Sequence, residues 1–346
     1  MDQIRIALIG YGNVGQAFAR MLERRREYIR ETFDTDPVVT AICTRSKGGI
    51  LQPAGAGGID TARVTDDMFD KLIDAIKIID FGEYDVMIEL TPINIMTGMP
   101  ATRHVERALQ RGKHVITANK GPIAWAYREL RDKAEENGVQ FLYEATVMDG
   151  VPVYNLTRET MMGCRITEVS GIFNATTNFI LTEMEKGIDF EEAVEEGRRQ
   201  GFVEADPAMD VDGWDAAAKL TALMNVLMDV QITPTEIDRE GIGHITKEDL
   251  DAAAEQGKKI KLLCQGRMEE DGDTGILKPV GSVKPTLVDQ DSLPAIMDAT
   301  SSYVSIMTDL MGGVTVIEEP FEPEIDHTAY GVLSDLLRIL NDTKIK

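Results

Sequence analysis

IRIALIGYGNVG, residues 4–15, decides the fold. A short apolar run leads directly into Gly10, Gly12 and Gly15, and the following VGQAFARMLERRREYIRE (14–31) carries the i, i+3, i+4 spacing of an amphipathic helix. Strand, glycine turn and helix in that order is the arrangement that binds a dinucleotide at the start of a βαβ unit. Gly10 permits the tight turn, Gly12 lets the backbone come close to a pyrophosphate, and Gly15 lets the helix pack on the strand. The amides around Asn13 and Val14 stand at a helix N-terminus whose dipole favours phosphate. A nucleotide cofactor is therefore expected on Gly10, Gly12, Asn13, Val14 and Gly15.

The same rhythm continues outward. VVTAIC (38–43), YDVMIEL (84–90), KHVITA (113–118) and VQFLYEA (139–145) read as further strands buried on both faces, and two of the helical segments between them close on Gly112 and Gly138. This alternation predicts an α/β fold, a Rossmann-type doubly wound parallel sheet, over residues 1–143. The glycine-rich stretch 46–60 reads as a loop insertion. From 144 to 322 the alternation fades into a second, α+β domain, and a last helix within 323–346 is expected to return to the first.

Acids outnumber bases by 59 to 36, and the net charge of −23 sets nucleic acid and anionic membrane surfaces aside as partners. Cys43, Cys164 and Cys264 are far apart and lack CxxC spacing, which suggests neither a disulfide framework nor a zinc site and fits a reducing cytoplasm. The opening residues do not read as a signal peptide, and no apolar run approaches the roughly 20 residues that cross a bilayer. The four histidines, His104, His114, His244 and His327, show no ligand spacing.

Four further stretches carry chemistry. After the second strand, CTRSK (43–47) puts Arg45 and Lys47 where NAD-preferring sites usually hold an acid, which favours NADP, with NAD as the alternative. TANKGP (117–122) places Lys120 at the carboxyl end of a strand, facing the ligand crevice, and Thr91 and Pro92 end the preceding strand at the same edge as a wall for the nicotinamide. In GIFNATTNFIL (171–181), Asn174, Thr176 and Thr177 suit either a substrate carboxylate or a helix cap. In EATVMDGVP (144–152), Glu144 and the turn carbonyls suit a cation, although on residues alone a hinge is the commoner reading.

FVEADPAMDVDGWDAAAKL (202–220) gathers acids ahead of one lysine. As a calcium loop with Gly213 as the required glycine it fails, because Lys219 falls where a chelating Glu must stand. WDAAAKL is a strong helix former that sets Asp215 and Lys219 at i and i+4 on one face, and the helix is too apolar to be surrounded by water. Lys219 is thus placed at a cleft edge as a proton donor. Neighbouring carboxylates favour its charged form and desolvation its neutral form.

Taken together, GYGNVG, TANKGP, EATVMDGVP, GIFNATTNFIL, QGFVEADPAMDVDGWDAAAKL, REGIGHITKED and TAYGVLSDLL resemble the homoserine dehydrogenase family over essentially the whole chain. The resemblance implies reversible NAD(P)H-dependent reduction of L-aspartate 4-semialdehyde to L-homoserine, on the route to threonine, methionine and isoleucine. It implies Lys219 as acid/base, Lys120 as a second lysine at the reacting centre, and Glu204, Asp210, Asp215 and Thr176 around the substrate, with Asp215 also orienting Lys219. It further implies a cofactor contact at Gly201, a sodium-type cation at Glu144 and the carbonyls of Val147, Asp149 and Val151, and a homodimer formed through the second domain. Met148 and Asp149 stand where the family usually has small residues, and the family's glycine-rich loop before the last helix reads PEIDH (323–327). No C-terminal regulatory domain is expected, nor direct feedback inhibition by threonine. Two rival readings are another NADP-dependent amino-acid semialdehyde reductase and a non-catalytic nucleotide-sensing regulator; the lysines and acids of the site argue against the second.

Overall fold

The apolar run before the glycines is strand β1 (Asp2–Ile9), buried from Ile6 to Ile9, and beyond the turn it feeds helix α1 (Asn13–Phe33). The computed structural model, which describes residues 1–53, 55–201, 203, 206–272, 275–319 and 324–344, continues with β2 (Thr35–Thr44), β3 (Gly48–Leu51), α2 (Ala75–Phe81), β4 (Val86–Glu89), α3 (Ala101–Gln110), β5 (His114–Thr117), α4 (Lys120–Glu136) and β6 (Phe141–Leu142). These strands form one sheet in the order β3-β2-β1-β4-β5-β6. All neighbours are parallel except β3, which folds back on β2. The chain order reverses between β1 and β4, and at such a switch point the carboxyl ends of the strands leave a crevice for a ligand.

Strand β3 corrects the expectation of a loop over 46–60. Gly48, at φ +91°, makes the return, and a side chain there would lie 2.1 Å from the Asp70 carbonyl oxygen. Ile50 and Leu51 then pair with Ile42 and Ala41. The glycines that make the hairpin possible also hide its apolar alternation.

Helix α5 (Val153–Thr160) leads into a second unit, Leu156–Pro320. It holds β7 (Ile166–Ile172), α6 (Ala175–Glu185), α7 (Phe190–Gln200), α8 (Ala208–Val211), α9 (Trp214–Leu227), β8 (Asp238–Arg239), α10 (Lys247–Glu255), β9 (Lys258–Glu270), β10 (Leu277–Asp289), α11 (Leu293–Ile296), β11 (Ser302–Thr308) and β12 (Gly312–Glu318). Its sheet runs β12-β11-β7-β9-β10-β8 and is antiparallel apart from the β10–β8 pair, the α+β character expected. Helices α6, α9 and α10 pack on it. Helix α9 lies so close that a side chain at Gly266 would come within 2.5 Å of Met224 Sδ. This close packing accounts for the apolar run 216–225, buried at every position except the lysine.

The last helix, α12 (Glu324–Lys344), belongs to the first unit, which spans Met1–Asn155 and Phe321–Lys346. Its Val332, Leu333, Leu336 and Ile339 join Ile4, Ile6, Leu8 and Phe18 in one core. Residues 144–155 also fall in the first unit, because the backbone amide of Glu144 donates to Asp335 of α12 at 2.9 Å.

Candidate active site

The first unit supplies a dinucleotide cradle. Gly10, at φ +108°, brings the chain under β4 so tightly that a side chain would lie 2.4 Å from the Leu90 carbonyl oxygen, and one at Gly15 would lie 2.5 Å from that of Gly10. Above Gly12 nothing lies within 4 Å of where a side chain would stand. Gly12 is the N-cap of α1, which has no side-chain cap and no acid in its first turn, so its first amides are available to an anion. These features fit a bound pyrophosphate.

Beside α1 lies a cleft of about 700 Å³, lined among others by Tyr11, Gln16, Arg20, Thr44, Lys47 and Phe69. Lys47 reaches it, but its Nζ pairs with Asp66 at 2.6 Å. Arg45 is exposed and does not line the cleft. Arg20, two turns into α1, does so in its place, and nothing in the helical spacing of 14–31 singles it out from the other bases there.

On the other side of β1, Thr91 follows the end of β4 and Lys120 is the first residue of α4. Asn119 caps that helix, accepting from Gly121 N at 2.9 Å, and its Nδ2 donates to the Thr91 carbonyl oxygen at 2.9 Å. Pro92 is exposed next to Thr91.

The second unit assembles the acids and the lysine. Lys219 and Asp215, one turn apart on α9, lie 3.3 Å apart, and Lys219 Nζ donates to the Phe173 carbonyl oxygen at 2.8 Å. Both side chains are mostly covered, with 22% and 15% exposed. The next residue after Phe173 holds the arrangement together. Asn174 Oδ1 caps α6 by accepting from Thr177 N at 2.8 Å, while its Nδ2 donates to Asp210 Oδ1 at 2.6 Å and to Asp215 Oδ2 at 3.0 Å. Thr176 is buried in the first turn of α6. Behind the pair, the fully buried Cys264 thiol is pushed up to about 12 by burial, so it stays protonated next to the lysine and carboxylate.

Asp206 and Asp212 of this stretch make local contacts. Asp206 accepts from Ala208 N at 3.2 Å, and the Asp212 carbonyl oxygen accepts from Arg239, whose guanidinium covers the Trp214 ring. Gly201 is an exposed left-handed C-cap of α7 in the second unit. Glu204 and Pro323 lie outside the described residues.

Comparison with known proteins bears on this arrangement directly. The sequence profile described as homoserine dehydrogenase matches residues 152–337, and that of the homoserine dehydrogenase NAD binding domain matches 10–144. The homoserine dehydrogenase of Methanocaldococcus jannaschii is 36% identical, over 98% of this chain and 99% of its own. The chain belongs to the homoserine dehydrogenase family. The NAD(+)-dependent homoserine dehydrogenase of Pseudomonas canavaninivorans is 33% identical over 98% of this chain and 97% of its own. The structure of a hyperthermophilic archaeal homoserine dehydrogenase in complex with NADPH superimposes with a TM-score of 0.79 at 25% identity, covering 98% of each chain. Homoserine dehydrogenases are NAD(P)-dependent oxidoreductases acting on a CH–OH group, and neither the sensor nor the alternative reductase finds support among these relatives.

Within this homoserine dehydrogenase fold, Glu144 ties its turn to the helix that follows. Its buried carboxylate accepts from Tyr154 N at 2.8 Å and Asn155 N at 2.7 Å, anchoring the start of α5. Met148 and Asp149 both take left-handed backbone, with φ of 56° and 49°, and Asp149 Oδ1 accepts from Thr328 Oγ1 at 2.7 Å.

Proposed function

We propose that the protein catalyses the reversible reduction of L-aspartate 4-semialdehyde to L-homoserine. The observation that carries this is Lys219 held at hydrogen-bond range by Phe173 O and Asp215, with Asn174 tying Asp215 to Asp210. A bound nicotinamide dinucleotide supplies the hydride in reduction and takes it in oxidation. Lys219 Nζ gives a proton to the aldehyde oxygen in reduction and takes the hydroxyl proton in oxidation. Asp215 orients that lysine, and with Asp210 and Glu204 it offers the negative charge that an α-ammonium group needs. Thr176 is a hydroxyl donor to the substrate, and Lys120 is the second cation, opposing charge that builds on the reacting oxygen.

The adenosine end is read as NADP, with NAD as the alternative. Lys47 supports this, since an exposed ion pair such as Lys47–Asp66 is worth little and exchanges readily for a phosphate. Arg20 in the same cleft adds a second cation for it, and Arg45 lies one residue beyond β2. A sodium-type cation at Glu144 and the carbonyls of Val147, Asp149 and Val151 is supported by the left-handed turn at 148–149. We read the protein as a cytoplasmic homodimer without nucleic-acid or membrane partners. No helix among the described residues is long and apolar enough to cross a membrane.

Absorbance at the nicotinamide band with homoserine, run with NADP and with NAD, tests the reading. Lys219→Ala is expected to lose about 100-fold or more in kcat while binding the dinucleotide normally. Equal turnover by both proteins would remove Lys219 from the chemistry, and no turnover by the wild type would remove the activity.

A further inference from the structure

Glu89, the last residue of β4, is a carboxylate with no exposed surface. It lies in the row of residues that ends the three central strands, in register with Ile9 of β1 and Thr117 of β5. Its Oε1 accepts from both the backbone amide of Thr91, at 3.3 Å, and the Thr91 hydroxyl, and His104 Nδ1 from α3 lies 3.4 Å from the same oxygen. Its Oε2 has no hydrogen-bond partner among the described residues. Burying a carboxylate with one oxygen unsatisfied costs stability, and an apolar or amide side chain of similar size would avoid most of that cost. Stability therefore gives no reason for this side chain, whereas its contacts call for an acceptor of this length.

Those contacts lead in one direction. Glu89 fixes both hydrogen-bond donors of Thr91, the Thr91 carbonyl oxygen fixes the Asn119 amide, and Asn119 caps the helix whose first residue is Lys120. The strand end is tied to the same segment a second time, since Thr117 Oγ1 donates to Glu89 O at 3.1 Å and accepts from Asn119 N at 2.9 Å. Further along, Trp125 Nε1 donates to Ile95 O at 2.8 Å, and Gly98 and Gly121 approach so closely that a side chain at Gly121 would lie 2.9 Å from Gly98 Cα.

We infer that Glu89 is a positioning residue that, through Thr91 and Asn119, sets the nicotinamide wall and Lys120 as one rigid piece. It touches neither cofactor nor substrate; it fixes the loop that does. This rests on the dinucleotide-dehydrogenase reading above.

The test compares binding of the preferred reduced dinucleotide with binding of the same molecule lacking its nicotinamide ring, alongside steady-state kinetics. Thr91→Val removes the hydroxyl from a partly exposed residue and leaves the buried acid in place. It is expected to weaken the full dinucleotide about fivefold and lower kcat about tenfold, because a small displacement at the reacting centre is costly. The ring-less fragment should bind within about twofold of wild type, KM for homoserine should hold, and the primary isotope effect with homoserine deuterated at the reacting carbon should rise. Glu89→Ala should behave alike, and Glu89→Gln, which keeps an accepting oxygen, should restore kcat to within about threefold. Wild-type binding ratio and isotope effect in Thr91→Val would overturn the inference, as would equal weakening of dinucleotide and fragment. A wild-type protein that binds the dinucleotide yet oxidises no homoserine would sink the dehydrogenase reading alone, leaving the binding comparison to decide the role of Glu89.

Discussion

Replacing Asn174 by serine separates two tasks performed by one side chain. The amide orientation is set by its partners: Oδ1 faces an amide donor on α6 and Nδ2 faces two carboxylates, so the flipped form would oppose like with like at both ends. Serine caps a helix about as well as asparagine, so Asn174→Ser should leave the start of α6 within about 1 kcal/mol of wild type. It is too short to reach Asp210 and Asp215 together. A hydrogen bond to a charged acceptor contributes about 1.5–3 kcal/mol, so if the bond to Asp215 holds that carboxylate against Lys219 in the transition state, kcat/KM falls about 10- to 150-fold. Asn174→Asp keeps the cap equally but turns the donor into a third carboxylate, and it should be the worse of the two. Initial rates with homoserine, read with a thermal melt of each variant, measure both quantities. A folded Asn174→Ser protein within twofold of wild type, or an Asn174→Asp protein more active than Asn174→Ser, refutes the bridging role.

Three other outcomes are expected. Gly10→Ala, whose methyl would lie 2.4 Å from Leu90 O at φ +108°, should cost more than about 2 kcal/mol and abolish dinucleotide binding, while Gly12→Ala, with nothing within 4 Å, should fold normally and bind about tenfold more weakly; melts and titrations separate them. Arg26 and, after it, Arg30 hold the Asp36 carboxyl down at about 2 from an ordinary 3.8. A pKa depressed in the folded state stabilises above the unfolded value and fades as pH falls through the folded one. Asp36→Asn should therefore cost about 1 kcal/mol at about pH 5 and less at about pH 2, measured by urea midpoints. Glu144→Gln places an NH₂ against one of two backbone amides in a buried position, and should lower stability by about 2–4 kcal/mol in the same assay.

What the sequence made legible was local. The strand, glycine turn and helix of 4–31 lie within one βαβ unit, and Asp215 and Lys219 share a face because a helix repeats every few residues. Asn174 reads as either a substrate contact or a helix cap, and it caps α6. Its grip on Asp210 and Asp215 was not readable, because it joins residues 36 and 41 positions away through the meeting of α6, α8 and α9. Glu89 sits in an apolar run that reads correctly as a strand, and nothing in that run says which way its acid faces. The residues of 144–152 read as a hinge or a cation turn, and the acceptance of amides from Tyr154 and Asn155 by Glu144 is not readable from them, since it follows a turn in which Met148 takes a left-handed backbone that its type does not announce.

Helix α12 shares a core with β1 and α1, so the nucleotide-binding unit is closed by residues at the far end of the chain. During synthesis residues 1–155 precede the second unit and α12 follows it, so their shared core waits for its last helix through a delay of roughly 10–30 s at ordinary translation rates. The second unit is in effect an insertion, able to form its own sheet in the meantime. The unit begun first is thereby completed last, and removing α12 from Val332 onward would open the core beneath β1 and α1 and disable cofactor binding.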